Sequence, residues 1–146
     1  MKKLNKITEV AIAVEDIALT TRLLVDLLGG EASEITRVPQ FGMQYRMVKL
    51  GNVEFELMEP IDENGIIAKF IEERGEGLHH VAFAVDDLSE TFNFLKEHGC
   101  KMVTEEPLEL LGAKVLFTHP KFFSGVMFEL IEYPKEWIFP DGEINK

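Results

Sequence analysis

The first stretch with a regular pattern is residues 7–14, ITEVAIAV, where alternating positions predict a β-strand. Asp16 follows, and it is of the residue type that caps a helix, which apolar periodicity predicts over residues 17–28. Gly29 and Gly30 come directly after, and glycine is the usual residue at the end of a helix. The chain therefore opens with a strand and a helix.

The same order returns 71 residues later. Residues 80–85 alternate as a strand, Asp87 or Ser89 can cap a helix over residues 88–98, and Gly99 ends it. Identical residues stand at the matched positions Val10/Val81, Ala11/Ala82, Ala13/Ala84, Val14/Val85 and Asp16/Asp87. A recurrence of this kind predicts a duplicated supersecondary unit.

Each half contains further predicted strands, over residues 44–50, 53–58, 113–118 and 126–131. Gly51-Asn52 between the first two is a hairpin signal. The predicted class is α+β, with one domain over residues 1–146 made of two repeats at about 4–60 and 76–134.

Two segments lie outside the repeats. The connecting stretch carries apolar residues that suit a short amphipathic helix, namely Ile66, Ile67, Phe70 and Ile71. The last residues are predicted to form an arm that packs against the body through Trp137, Ile138 and Phe139, and a contact with a partner subunit is the alternative.

Side-chain parity separates two faces in each opening strand. Glu9 shares one face with Ala11 and Ala13, and His80 shares the equivalent face with Ala82 and Ala84, while the bulky residues point the other way. The small residues predict room above the sheet for something other than side chains.

Glu56 and Glu129 occupy equivalent points in the middle of the last strand of each repeat. A carboxylate between large apolar residues is costly to bury without a partner. If the halves form one curved sheet by pseudo-twofold symmetry, both glutamates converge with Glu9 and His80, and such a group suits a divalent metal. A single such residue at a strand end is more often solvated, but the repetition favours the metal. His79 points to the opposite face from His80.

Composition limits which classes of binding partner and which cellular compartment are expected for this chain. A net charge of −11 disfavours nucleic acid, because that affinity depends on Lys and Arg at phosphates. No segment approaches the ~20 apolar residues of a membrane span, and no signal-peptide pattern follows the basic first residues, so a soluble cytoplasmic protein is predicted. The lone Cys100 is predicted to be a small buried hydrophobic residue.

The repeat, together with GLHHVAFAVDDL, FTHPK and GVMFELIE, resembles the vicinal oxygen chelate superfamily, which contains glyoxalase, bleomycin-resistance and dioxygenase proteins. Within it the chain is most similar to the methylmalonyl-CoA epimerases, over residues 4–133. The resemblance implies two βαβββ modules whose curved mixed sheet surrounds one divalent metal, and a homodimer.

Carried over position by position, the resemblance implies that His80, Glu56 and Glu129 are metal ligands, and that Glu129 and Glu56 are catalytic. The fourth ligand of the family is usually a histidine, and its position here holds Glu9. Epimerases commonly have a glutamate base where this chain has Gln40, whose amide cannot accept a proton at neutral pH and is left with substrate binding.

Two roles for Glu9 stay open. As a ligand it gives a set of three carboxylates and one imidazole, which shifts selection among Co, Mn, Zn and Ni from Zn²⁺ toward Mn²⁺ or Co²⁺. As a base it would act beside a metal held by three ligands, in place of the glutamate that Gln40 replaces.

The implied reaction is metal-dependent removal and return of a proton α to the thioester of an acyl-CoA. A glyoxalase I-type lactoylglutathione lyase is the second interpretation. A non-catalytic ligand-binding protein on the same scaffold is the third, and the missing histidine at position 9 favours it.

Overall fold

The computed structural model describes Leu4 and residues 6–146. Within this range the chain forms nine strands, three α-helices and two short 3-10 turns. The helices are α1 (Ile17–Leu28), α2 (Ile66–Arg74) and α3 (Leu88–Glu97). The strands are β1 (Lys6–Ala13), β2 (Glu31–Ala32), β3 (Thr36–Val38), β4 (Met43–Leu50), β5 (Val53–Pro60), β6 (Gly77–Ala84), β7 (Leu108–Leu110), β8 (Ala113–Phe117) and β9 (Met127–Glu132). The α+β class is confirmed, and the short strands β2, β3 and β7 are additions.

The chain divides into two compact units. The first unit is residues 9–79, and the second unit is residues 80–146 with the described residues that precede Glu9. In the first unit β1 runs parallel to β5, and β4 pairs antiparallel with β5, β2 and β3. In the second unit β6 runs parallel to β9, and β8 pairs antiparallel with β9 and β7. Each repeat therefore has the same central arrangement of strands.

The strand register is also the same in both repeats. Ala11 of β1 lies opposite Glu56 of β5, and Ala82 of β6 lies opposite Glu129 of β9. Because a slip of one residue would turn every side chain to the other face, this register keeps both glutamates on the face that carries the alanines.

The predicted helix starts are confirmed, and α3 ends at Glu97, one residue before the predicted end. The Asp16 side chain accepts a hydrogen bond from the Leu19 amide at 2.9 Å, and the Asp87 side chain accepts one from the Glu90 amide at 2.8 Å. Asp87, not Ser89, is therefore the cap of α3. Each such cap stabilises its helix by about 1 kcal/mol, because it satisfies an amide that the first turn leaves without a helical partner.

The expectation of open space above the alanines is wrong. Ala11 and Ala13 have no exposed surface, because Ile67 of α2 packs against them in a cluster with Met43 and Met58. In the second unit a cluster around Ala82 is filled by apolar side chains of the unit: Val115, Ile131, Tyr133 and Phe139. The small residues make room for α2 and for the arm, and so the room is taken up by protein side chains.

Two of the three predicted residues of the carboxy-terminal arm contact the body: the Phe139 side chain enters the core cluster, and the Trp137 ring lies 5.3 Å from the Tyr133 ring. Phe139 is buried, whereas Trp137 is 44% exposed and Ile138 is 67% exposed. Lys6 ties the arm to β1 through Asp141 at 2.6 Å and Glu143 at 2.7 Å, and its ammonium lies 4.4 Å from the centre of the Phe139 ring. The hydrogen bond from Lys6 holds the pKa of Asp141 below its usual value.

Cys100 is buried, and desolvation raises the pKa of its thiol, as expected of a structural cysteine. Among the described residues, none of the helices has the length and apolar character needed to cross a bilayer.

Leu111 is strained at the turn between β7 and β8. Its φ is 49°, in the left-handed region, and it is 83% exposed, so it gains little from burial. Leu111→Asn is expected to raise the free energy of unfolding by about 1 kcal/mol, because asparagine tolerates this conformation. Urea denaturation checks it, with a higher midpoint at an unchanged slope. The neighbour Leu110 packs against a core cluster, so Leu110→Asn should lower the midpoint. An unchanged or lower midpoint for Leu111→Asn contradicts the strain.

Candidate metal centre

His80 and Glu129 meet inside the second unit. They stand on the neighbouring parallel strands β6 and β9, and His80 Nε2 lies 2.9 Å from Glu129 Oε2. Both residues are buried, at 4% and 7% exposure. A carboxylate at this depth is costly unless a positive or hydrogen-bonding partner stabilises it, and the imidazole is placed to do so.

An aromatic ring fixes one side of this pair. Phe117 of β8 lies opposite Glu129 in the sheet register, and its ring meets the His80 ring edge-on, with centroids 5.6 Å apart and an interplanar angle of 86°. Phe117 excludes water on that side and restricts the His80 rotamer. Phe117 was not predicted as a site residue, although strand parity places it on the same face of β8 as Ala113 and Val115.

Glu9 and Glu56 form the equivalent group in the first unit. They stand on the neighbouring parallel strands β1 and β5, and carboxylate oxygens of the two residues lie within 4.8 Å of one another. Both are half-buried. Two carboxylates at this separation repel each other, and a bound cation or a shared proton relieves the repulsion.

A third carboxylate, Glu54, lies beside this pair and was not among the predicted site residues. It lies opposite Glu9 in the register and two residues before Glu56, so all three share one face. Burial raises the pKa of the Glu54 carboxyl, and the charge of Lys49, which lies opposite it on β4, opposes that shift. The parity of Glu54 and Glu56 in the sequence VEFELMEP was the available signal.

Two further acidic residues connect the strands to the helices. Glu59 accepts a hydrogen bond from the Ile17 amide at 3.2 Å and one from the Gln44 side chain. Glu132 accepts one from the Leu88 amide at 2.8 Å, with Lys114 at 3.2 Å. Each lies three residues after a candidate ligand and holds the first turn of a helix, where the dipole favours negative charge.

The structure therefore brings the predicted residues together as two pairs, Glu9 with Glu56 and His80 with Glu129. The meeting of all four at one ion stays a prediction. Gln40 lies exposed in the 3-10 turn Pro39–Phe41, and its predicted contact with substrate stays a prediction as well. His79 is half-buried with its ring 4.7 Å from that of Phe70.

The donor types in both pairs fit a divalent cation. An imidazole with carboxylates is a common ligand set for Zn²⁺, Co²⁺ and Mn²⁺. Two donors bound to one ion at right angles with bonds of about 2.1 Å would be about 3 Å apart, and His80 Nε2 and Glu129 Oε2 are separated by 2.9 Å.

Comparison with known proteins adds independent findings. Residues 8–117 match the model of the Glyoxalase/Bleomycin resistance protein/Dioxygenase superfamily. The chain is 33% identical over 130 residues to the mitochondrial methylmalonyl-CoA epimerase of Mus musculus, covering 88% of this chain and 73% of the relative. It is 32% identical over 130 residues to the ethylmalonyl-CoA/methylmalonyl-CoA epimerase of Cereibacter sphaeroides, covering 87% of this chain and 97% of that protein.

A solved structure shows the same likeness in three dimensions. The methylmalonyl-CoA epimerase of Streptomyces coelicolor, crystallised as a variant with 2-nitronate-propionyl-CoA, superposes with a TM-score of 0.81 at 25% identity. The superposition covers 90% of this chain and 99% of that one.

Proposed function

Because the chain belongs to the Glyoxalase/Bleomycin resistance protein/Dioxygenase superfamily, we propose that it is a metal-dependent isomerase of the methylmalonyl-CoA epimerase type. The observation that carries the proposal is the buried contact between His80 and Glu129, which places a carboxylate beside an imidazole on the face shared by the repeat. The epimerases among the relatives make an acyl-CoA the proposed substrate class.

Epimerisation α to a thioester consists of two proton transfers at the same carbon. A base takes the proton from the α-carbon on one face, and an acid returns a proton to the other face, which inverts the centre. The enzyme therefore needs two proton carriers on opposite sides of the substrate carbon. A positioned carrier contributes about 10²–10⁴-fold to such a step.

Glu129 is proposed as one of these carriers. Its carboxylate is buried and fixed by His80, and Phe117 shields it from water on one side. A buried carboxylate held in place can accept the α-proton without first losing a full hydration shell. Glu9 and Glu56 are the proposed candidates for the second carrier, since both lie on the equivalent face of the other repeat.

The proposed ligands of the divalent ion are Glu9, Glu56, His80 and Glu129. When bound, the ion supplies Lewis-acid stabilisation of the negative charge that develops on the substrate oxygens, which is worth several kcal/mol. Gln40 is proposed to orient the substrate through its amide, because an amide donates and accepts hydrogen bonds but cannot act as a base.

The test is an assay of the purified protein, loaded with Co²⁺, Mn²⁺, Zn²⁺ or Ni²⁺, against methylmalonyl-CoA in deuterated water. Solvent deuterium should enter the α-position with turnover, because the proton carriers exchange with solvent between cycles. Turnover of a glutathione hemithioacetal without turnover of methylmalonyl-CoA would support the glyoxalase I-type reaction instead. A protein that binds no metal and turns over neither substrate would leave only the ligand-binding role.

A further inference from the structure

Glu129, the proposed proton carrier, has apolar neighbours on both adjacent strands. Ala82 of β6 and Phe117 of β8 lie directly opposite it in the sheet register, so their side chains share its face of the sheet. Ala82 is a member of a buried apolar cluster, and Phe117 packs against that cluster. The cluster therefore begins at the residues that border the Glu129 carboxylate.

Phe139 covers this cluster from outside the sheet. Among the other described members, Val115 and Ile131 stand on β8 and β9, and Tyr133 directly follows β9, so these side chains rise from the sheet itself. Phe139 comes from the carboxy-terminal arm, is 8% exposed, and meets the Tyr133 ring edge-on with centroids 5.2 Å apart. The Phe139 ring therefore packs as a second layer on the side chains of the sheet.

The arm holds the Phe139 ring in a fixed place. The Phe139 amide donates a hydrogen bond to the Glu143 carbonyl at 2.9 Å, and the Phe139 carbonyl accepts one from the Gly142 amide at 2.8 Å. The Lys6 ammonium lies over the ring and also pairs with the carboxylates of Asp141 and Glu143. Because the backbone and the ring are both held, the size of the side chain at position 139 determines how much space remains in the cluster.

The proposed reaction brings an alkyl group to this place. The α-carbon must reach the Glu129 carboxylate, and the alkyl substituent is bonded directly to that carbon. The oxygen-bearing substituents gain from polar partners, whereas the alkyl substituent gains free energy by leaving water for an apolar surface. Within this unit, the apolar surface that borders Glu129 is the cluster that Phe139 covers.

We propose that Phe139 limits the size of the α-alkyl group that the site accepts, an inference that rests on the proposed function. The phenyl ring fills the space over the small Ala82 side chain, so a short alkyl group fits beside Glu129 and a longer one meets the ring. A single methylene in an apolar pocket changes kcat/KM by about 10–200-fold. The arm would then set substrate specificity through one side chain.

The test compares kcat/KM for methylmalonyl-CoA and ethylmalonyl-CoA, which differ by one methylene on the α-carbon. Phe139→Ala should raise the ratio of ethylmalonyl-CoA to methylmalonyl-CoA turnover by at least about tenfold, because it removes the ring that the longer group meets. Phe139→Leu retains more of the apolar packing and should move the ratio in the same direction by less. A purely structural role would lower kcat/KM for both substrates alike and leave their ratio unchanged.

Leu110→Ala is the matched control. Leu110 packs against the same cluster from β7, which pairs with β8 and is thus one strand further from Glu129 than Phe117 is. The substitution also removes apolar volume from the cluster and should lower stability. It should leave the substrate ratio at its native value, because it opens no space beside Glu129.

The outcomes separate this inference from the proposed function. An active protein whose substrate ratio is native in both Phe139 variants overturns the inference and leaves the proposed function standing. A rise in the ratio for Leu110→Ala as large as that for Phe139→Ala also overturns it, because general loosening of the cluster would then explain both. A native protein that turns over neither thioester overturns the proposed function and this inference together. If circular dichroism shows that Phe139→Ala is unfolded, Phe139→Leu decides.

Discussion

Glu129→Gln is expected to lower kcat for epimerisation by about 10²–10⁴-fold. Glutamine has the shape of glutamate and can keep the contact with His80, but its amide cannot accept a proton. The measurement is twofold: turnover of methylmalonyl-CoA, and the rate at which substrate α-protons exchange with deuterated water. If the variant catalyses exchange at the native rate, Glu129 is not a proton carrier in this reaction.

Glu132→Gln is the matched control for this experiment. Glu132 lies three residues further along β9 on the opposite face and accepts a hydrogen bond from the Leu88 amide at the start of α3. The substitution removes the same charge from the same strand, but it acts on the helix end and leaves the proposed site in place. Its kcat should stay close to that of the native protein, with a small loss of stability.

His80→Gln is expected to reduce the affinity for a divalent cation by more than about 100-fold. Loss of a residue that only supports a ligand costs about 10–100-fold, and loss of a ligand should cost more. Elemental analysis of protein dialysed against Co²⁺ or Mn²⁺, with a titration of metal binding, measures the effect apart from activity. Circular dichroism of the variant establishes that it is folded.

His79→Gln is the matched control for metal binding. His79 is the neighbouring residue on β6, and its ring lies against Phe70 instead of Glu129. The His79→Gln variant should therefore retain the native metal content. Native metal affinity in the His80 variant would contradict the proposed ligand set.

The same titration distinguishes the two roles of Glu9. Glu9→Gln should lose metal affinity if Glu9 is a ligand. It should keep the metal and lose turnover if Glu9 is a proton carrier. If Glu9 is a ligand, Glu9→His should bind Zn²⁺ more tightly relative to Mn²⁺ than the native protein does, because an imidazole in this position favours Zn²⁺ over Mn²⁺.

The duplicated strand–helix order is read correctly from the sequence because its signals are local. The caps at Asp16 and Asp87 depend on amides three residues away, and the parity of Glu56 and Glu129 depends on the two-residue repeat of a strand. Glu54 obeys the same parity and could have been recognised in the same way.

The space above the alanines is where local reasoning failed. Ala11 and Ala82 indicate that something approaches the sheet closely, but their sequence context does not say what. Ile67 and Phe139 are distant in the chain, and only the folded structure places them there. The same applies to Phe117, which faces His80 across a separation of 37 positions that no periodicity can encode.

By itself the sequence determined the repeated unit, its helix ends and the face on which each candidate ligand stands, because these follow from neighbouring residues along one strand or helix. Tertiary structure decided which side chains fill the space beside those candidate ligands. It also brought His80 Nε2 to within 2.9 Å of Glu129 Oε2. Such distances depend on strand pairing and on packing between segments far apart in the chain, where burial of apolar surface, and no local rule, selects the neighbours.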